Sequence, residues 1–312
     1  MKNQIKLFSG SSNRDLAVKV SQQIGVPLAK ADVRKYANGE TRVQILESVR
    51  GRQVFVIQST SPPVNDNIME LLIMIDALKR ASALSITVVM PYFGYAKQDK
   101  KKSGREPISA KLVADLLQVA GIKRLVTIDL HSPQIQGFFD VPVDDMSAVM
   151  FISRYIRKKK LNNMVVVSPD VGGAKRARDM ARYLNTNIAI IDKYRSDYTK
   201  ASAAHVVGEV EGKNCIIIDD FIDTGGSMVE AVNALHRHKA KNVYVTCTHG
   251  LLTAPAVENL KKSPAKEVII TDTIALPKEK HFRNLHVISV SEMISAAITR
   301  IYKKGSISSL FR

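Results

Sequence analysis

The chain has 312 residues, with 46 Lys+Arg against 29 Asp+Glu and a formal net charge of +17. Hydrophobic residues make up 45%, enough for a substantial core, so a wholly disordered chain is excluded and the length fits two domains. No run of about 18 apolar residues is present to span a membrane, and the opening MKNQIKLFSG lacks a secretory apolar run and cleavage site.

Cys215 and Cys247 both lie in apolar, strand-like runs without metal-ligand spacing. That excludes a disulfide framework and reads as two buried, reduced thiols in a cytoplasmic protein. The positive charge fits anionic partners: nucleic acid, acidic membrane or phosphorylated metabolites. Aromatic residues are only 6% and Trp is absent, which disfavours a stacking platform for single-stranded nucleic acid. The Lys runs at 100–102 and 158–160 read as solvated faces.

In chain order, the strand IKLF is followed by a helical stretch with Asn13 as a possible N-cap and Gly25 as its close. TRVQILES alternates with period two, placing Val43 and Ile45 on one side and Arg42 and Gln44 on the other. QVFVIQST is a near-continuous apolar strand. From Asn65 to Arg80, Ile68, Leu71, Leu72, Ile75 and Leu78 recur at helical spacing, and SITVVMPY is the next buried strand. Residues 93–107 are polar, basic and Gly-containing, as a loop would be. Ile108, Leu112, Leu116 and Val119 mark a helix that Gly121 ends, before the strand RLVTIDLH.

The second half repeats this grammar. A helix near 147–160 precedes the strand NMVVVSPD, a helix from Gly172 to Leu184 follows, and then the strand NIAIIDK. Residues 194–204 read as a polar loop. NCIIIDDF leads through DTGGS into a helix, NVYVTCTH, EVIITDT and LHVISV are further strands, and a last helix covers about Ser291 to Lys304. Strands buried on both faces and separated by helices predict an α/β protein of two domains, 1–147 and 148–312, each a mainly parallel sheet flanked by helices. Ligands of such sheets bind beyond the carboxyl ends of the strands, so the polar strand ends carry the functional expectation.

The sharpest of these ends is IIIDDFIDTGGS, residues 216–227. A buried strand closes on Asp219 and Asp220, and Asp223, Thr224, Gly225, Gly226 and Ser227 turn the chain into a helix. Successive N–H groups at a helix start form an anion site, glycine lets a phosphate approach, and the hydroxyls add donors. The neighbouring carboxylates suit sugar hydroxyls or a hydrated Mg²⁺. The competing structural reading is a helix start capped by Asp223 or Thr224. Neither a Walker A loop nor G-x-G-x-x-G is present.

This turn resembles the phosphoribosyl-pyrophosphate loop of type I phosphoribosyltransferases. ESVRG, VFVIQST, MELLIMIDALKRASA, MPYFGYAKQDKK, REPISAKL, DLHSPQIQGFF, VVVSPDVGGAKRA and IAIIDKYR, in this order over nearly the whole chain, resemble the ribose-phosphate diphosphokinase family. The resemblance implies two phosphoribosyltransferase-like domains, with ATP-binding elements and subunit contacts in the first and the ribose 5-phosphate and catalytic loops in the second. It implies transfer of the β,γ-diphosphoryl group of Mg-ATP to the C1 hydroxyl of ribose 5-phosphate, giving phosphoribosyl pyrophosphate and AMP for nucleotide biosynthesis.

By resemblance the 219–227 segment holds ribose 5-phosphate, with the carboxylates on ring hydroxyls and the turn on the 5-phosphate. His131 and Asp170 hold Mg²⁺, although imidazole is not a favoured Mg²⁺ ligand and a strand-end His also reads as a hydrogen-bonded structural residue. Gly172 and Gly173 permit close approach of pyrophosphate, or simply open a helix. Lys193 and Arg195 match the basic pair of a catalytic loop that would close over ATP and deliver two cations to the β-phosphoryl group, where the alternative is a solvated basic loop. Tyr36, Asn38 and Glu40 of YANGE would stack on and read adenine, although Asn-Gly also signals a turn. Lys97, Gln98 and Asp99 would take the triphosphate; Lys97 replaces the usual Arg and loses its bidentate fork.

Ser48, Arg50, Ser82 and Arg105, with the C-terminal SISS segment, resemble positions around an inter-subunit site for inorganic phosphate and ADP, and otherwise read as solvated surface and helix caps. The assembly implied is a homo-oligomer, a hexamer built from dimers, without nucleic acid or membrane partners. Two rivals remain: a phosphoribosyltransferase, which has no reason to carry YANGE, the 193–195 loop or DLHSPQIQGFF, and a non-catalytic regulatory paralogue, which would be expected to lose Lys193, Arg195, His131 or Asp170.

Overall fold

The computed structural model describes residues 4–193 and 204–307, which divide into two compact α/β units. The first opens with β1 (Ile5–Ser9) and α1 (Arg14–Ile24), then the hairpin β2 (Ala31–Lys35) and β3 (Thr41–Ile45). It continues through β4 (Gln53–Ile57), α2 (Val64–Arg80), β5 (Ser85–Met90), α3 (Ser109–Ala120), β6 (Arg124–Ile128) and β7 (Val143–Met146). Its sheet has the order β1-β4-β5-β6-β7, with every pairing parallel.

The local signals explain these elements. Asn13 caps α1 by accepting the Leu16 N–H at 3.3 Å, and Gly25 ends it at φ 71°, in the left-handed region that glycine enters without cost. The alternation in β3 turns Val43 and Ile45 towards the core, while Arg42 bonds Asp32 of β2 and Gln44 on the other side. The core itself forms between sheet and helices, around Phe8, Val56, Met74, Leu78, Val88 and Leu117.

The second unit runs from α4 (Val149–Lys158) through β8 (Met164–Ser168), α5 (Ala174–Leu184), β9 (Asn187–Lys193), β10 (Ala204–Val207), β11 (Asn214–Ile222) and α6 (Gly226–Arg237). β12 (Asn242–Gly250), α7 (Ala256–Lys262), β13 (Glu267–Thr271) and β14 (Leu285–Ile288) complete it. The order is β10-β9-β8-β11-β12-β13-β14, and β10 is the antiparallel edge of an otherwise parallel sheet. Ala204 thus belongs to a strand rather than to the polar loop expected up to 204.

The second unit begins at Ala148, where the sequence expectation cuts, but the expected stretch 148–312 is not one body. The last helix, α8 (Ser291–Tyr302), belongs to the first unit. Its buried face, Met293, Ile294, Ala297 and Ile298, comes with α1, which buries Leu16, Ala17 and Val20, and the two helices pack together. Gln23 donates to Ser291 Oγ at 3.0 Å and accepts from Ser295 Oγ at 2.9 Å. Chain order alone could not show this return.

Candidate active site

In the second unit, β11 outruns one neighbour. It pairs with β8 only from Asn214 to Ile217 but with β12 as far as Ile222. Asp219 and Asp220 therefore stand on the stretch of β11 beyond its ladder with β8. Asp220 is 4% exposed, and Asp219 is half-buried. Their Oδ1 atoms accept backbone N–H groups, Asp219 from Asp220 at 2.9 Å and Asp220 from Phe221 at 3.1 Å. Arg176, from α5, places Nη1 3.3 Å from Asp219 Oδ1 and 3.7 Å from Asp220 Oδ1. Burial pushes the Asp219 carboxyl up to about 8, the negative charge of Asp220 adds to the rise, and Arg176 opposes it. Cys247, opposite Asp219 on β12, is fully buried, and that burial raises its thiol well above the ordinary range. Burial likewise pushes Cys215 up to about 12. Both thiols are inert by this account.

The turn after β11 is built for open N–H groups. Gly225 sits at φ 76°, and α6 begins with no side chain capping it. Asp223 and Thr224 do not serve as caps. Asp223 instead accepts from the Thr253 hydroxyl, and its carbonyl takes the Thr253 N–H at 3.1 Å. Asn259 of α7 donates to the Thr224 carbonyl at 3.0 Å. The turn is thus tied from behind by α7 and the segment before it, while Thr224 and Ser227 are exposed at its mouth. An uncapped helix start with exposed hydroxyls is suited to a phosphate dianion.

β8 ends in a second tight turn. Gly173 N–H donates to Asp170 Oδ1 at 2.8 Å, and Ser168 Oγ donates to the Asp170 carbonyl at 2.6 Å. A Cβ on Gly173 would lie 2.7 Å from Ser168 Oγ, so the turn has no room for a side chain there. Asp170 is exposed. Lys193 closes β9; Arg195, with Tyr194 and Ser196, lies outside the described residues.

The remaining expected residues fall in the first unit. Tyr36 to Glu40 form the turn of the β2–β3 hairpin: Tyr36 N–H donates to the Glu40 carbonyl at 2.8 Å, Glu40 N–H donates to Asn38 Oδ1 at 3.1 Å, and Gly39 takes φ 90°. The turn reading of Asn-Gly therefore holds, and the turn presents Tyr36 with 54% exposure. Gln98 is anchored at the start of α3, its carbonyl accepting Ala110 N–H at 3.2 Å, with half-buried Lys97 and Asp99 on either side. His131 is exposed two residues beyond Asp129, which adopts φ 43° and accepts from Ser147 Oγ at 2.9 Å.

Arg50 and Ser82 are brought together. Arg50 bridges Ala83, and Gly51 N–H donates to the Ser82 carbonyl at 3.0 Å, with Ser48 two residues away on the same connection. Arg105 lies on the separate 93–107 loop. Ser308 and Ser309 of the SISS segment lie outside the described residues.

Four residues of these turns are not among the expected site residues: Arg176, Asp129, Thr253 and Asn259. Arg176 and Asp129 stand inside the quoted motifs VVVSPDVGGAKRA and DLHSPQIQGFF without being singled out, whereas Thr253 and Asn259 lie in none of them. Among the described residues no group of three His, Cys, Asp or Glu is placed to hold a metal. A Mg²⁺ that keeps most of its waters and shares substrate phosphates needs only one or two protein oxygens, and exposed Asp170 fits that donor set.

A parallel sheet with an acidic pair at one strand end, followed by an uncapped glycine turn into a helix, defines a phosphoribosyltransferase-like α/β protein. Comparison narrows this to one family. Residues 5–121 match the N-terminal domain of ribose phosphate pyrophosphokinase, and residues 196–312 match the phosphoribosyl synthetase-associated domain. A ribose-phosphate pyrophosphokinase of Fusobacterium nucleatum is 51% identical over 99% of this chain and 98% of its own length. One from Bacillus caldolyticus is also 51% identical, over 99% of this chain and 98% of its own. The crystal structure of phosphoribosylpyrophosphate synthetase from Mycobacterium smegmatis superposes with a TM-score of 0.92 at 45% identity, over 97% of this chain and 100% of that one. The chain belongs to the ribose-phosphate pyrophosphokinase family.

Proposed function

We propose that the chain transfers the β,γ-diphosphoryl group of ATP to the C1 hydroxyl of ribose 5-phosphate, giving phosphoribosyl pyrophosphate and AMP. The observation that carries this reading is the uncapped 223–227 turn beside the Asp219–Asp220 pair, in a chain that matches its relatives over nearly its whole length. The turn's N–H groups, with Thr224 and Ser227, bind the 5-phosphate, and Asp219 and Asp220 accept ring hydroxyls. The Gly172–Gly173 backbone approaches the transferred diphosphoryl group closely. Lys193 and Arg195 supply cations where charge develops on it. Tyr36, Asn38 and Glu40 receive adenine, and Lys97, Gln98 and Asp99 the phosphates of ATP. Asp170 and His131 would hold Mg²⁺, which when bound neutralises phosphate charge.

The same reading places inorganic phosphate and ADP as effectors at Ser48, Arg50, Ser82 and Arg105, in a cytoplasmic homo-oligomer, a hexamer of dimers. No helix among the described residues is long and apolar enough to cross a membrane.

The test is release of AMP from ATP and ribose 5-phosphate in the presence of Mg²⁺, with the second product identified by mass. Absence of a product with the mass of phosphoribosyl pyrophosphate sinks the reading. In the same assay Lys193→Ala and Arg195→Ala each lower kcat by on the order of 10²-fold, as loss of an electrostatic stabiliser does. Near-normal kcat in both removes the loop from the mechanism.

A further inference from the structure

Adjacent carboxylates beside a phosphate turn serve either of two chemistries: they chelate a divalent cation or accept hydroxyl donors. Arg176 discriminates between them. Its Nη1 lies 3.3 Å from Asp219 Oδ1 and 3.7 Å from Asp220 Oδ1, so one guanidinium bridges both groups. Its side chain is 19% exposed and that of Asp220 6%, so this cation sits in the wall of the site rather than in solvent. The two Oδ1 atoms also accept the backbone N–H groups of Asp220 and Phe221. Both carboxylates are thereby oriented from the strand side.

We propose that Arg176 is the positioning residue that reserves the Asp219–Asp220 pair for the hydroxyls of a sugar phosphate and keeps a divalent cation off it. The inference rests on the ribose 5-phosphate reading above. A fixed guanidinium within 4 Å of both carboxylates repels a dication from the same oxygens, while leaving carboxylates as acceptors for neutral donors. A single nitrogen, Nη1, makes both contacts, and the planar guanidinium that carries it is more pre-organised and more weakly hydrated than a Lys ammonium.

The full-length enzyme and its Arg176→Gln, Arg176→Lys and Asp220→Asn variants test this by two readouts. Steady-state kinetics give the Michaelis constants for ribose 5-phosphate and ATP. Electron paramagnetic resonance titration gives Mn²⁺ binding with no sugar or nucleotide present. Arg176→Gln is expected to raise the Michaelis constant for ribose 5-phosphate by roughly tenfold, the scale of a lost charge-assisted contact, with that for ATP nearly unchanged. Arg176→Lys recovers part of the loss. Arg176→Gln also gains a Mn²⁺ site that the double variant with Asp220→Asn lacks. A folded Arg176→Gln protein with an unchanged Michaelis constant for ribose 5-phosphate and unchanged Mn²⁺ binding overturns the proposal, even if its Tm falls, because a merely structural arginine would move stability alone. Where Arg176→Gln does not fold, Arg176→Lys decides by the same two readouts. Asp220→Asn with unaltered ribose 5-phosphate kinetics overturns the ribose 5-phosphate reading itself. If Asp220→Asn weakens the sugar phosphate and the Arg176 variants do not, only the role of Arg176 fails.

Discussion

The two units share a five-strand order, β1-β4-β5-β6-β7 in one and β8-β11-β12-β13-β14 in the other, yet their strand ends are treated in opposite ways. After β1 the chain runs Gly10-Ser11-Ser12-Asn13 into α1, as Pro169 to Gly173 runs into α5 after β8. In the first unit this turn is sealed from within. Glu70 of α2 accepts the Ser11 N–H at 2.7 Å, the Ser11 hydroxyl at 2.6 Å and Gln58 Nε2 at 2.9 Å. Gln58 Oε1 accepts both the N–H and the hydroxyl of Ser12, at 3.1 and 2.7 Å. A Cβ on Gly10 would lie 2.2 Å from Gln58 Oε1, so the loop packs tightly against the side chain that follows β4. In the second unit Asp170 is exposed and the 223–227 turn is left uncapped. One fold can thus spend its strand-end donors on itself or hold them for a ligand, and the side chains decide which.

Removing the seal is expected to have the largest effect on stability. Glu70→Ala takes the shared acceptor from buried Gln58 Nε2 and from the part-buried N–H and hydroxyl bonds of Ser11, and leaves a cavity where the carboxylate was. The loss is about 3 kcal/mol, read as a lower denaturant midpoint at unchanged m. Kinetics of the folded enzyme at low temperature should keep the wild-type Michaelis constant for ribose 5-phosphate. Wild-type stability would show that the network contributes little. A raised Michaelis constant would mean that the first unit's turn belongs to the substrate site, and the contrast between the units would collapse.

The open site should respond with the opposite sign. Burial and the neighbouring Asp220 raise Asp219 from 3.8 to about 8 in the folded chain, so between those values the folded state binds the extra proton. Stability is therefore full at low pH and falls as pH rises from about 4 to about 8, because an ionised carboxylate must be kept where burial disfavours it. Asp219→Asn removes this term. Its Tm advantage over wild type should grow across that window and level off above it, while ribose 5-phosphate binding weakens. The gain is smaller than the Glu70→Ala loss, since the amide is still buried and forgoes Arg176. A pH-independent difference in Tm would show that Asp219 does not titrate within that window.

Much of this contrast was legible in the sequence, but only half of its logic. The strands, the acidic pair and the Thr-Gly-Gly-Ser turn are local patterns, and Asn13 and Gly25 mark α1 by their own chemistry. What closes or opens a turn is not local. Glu70 lies 59 residues from Ser11, and Arg176 lies 43 from Asp219. The helix α8 was legible, but the unit it joins was not, for the same reason: its apolar stripe says that it packs and not on what. The short elements β2, β7, β10 and α7 have weak periodicity of their own and form because neighbours offer edges and faces to complete.

The smallest expected effect concerns how the open turn is held. Asn259 donates to the Thr224 carbonyl at 3.0 Å from a partly exposed position, where water can replace it. Thr253 ties the same turn independently through Asp223, so loss of one tie should loosen the N–H groups without collapsing them. Asn259→Ala should cost about 0.5–1 kcal/mol, or roughly two- to fivefold in ribose 5-phosphate affinity by calorimetry, with ATP affinity unchanged. Asn259→Asp should weaken binding further, because a carboxylate cannot donate to the carbonyl and sets a negative charge near the bound phosphate. Equal affinities in wild type and Asn259→Ala would show that Thr253 and the helix start alone shape the turn. Equal weakening of sugar phosphate and ATP would show that Asn259 steadies α7 as a whole, since a tie acting on Thr224 alone has no route to the nucleotide.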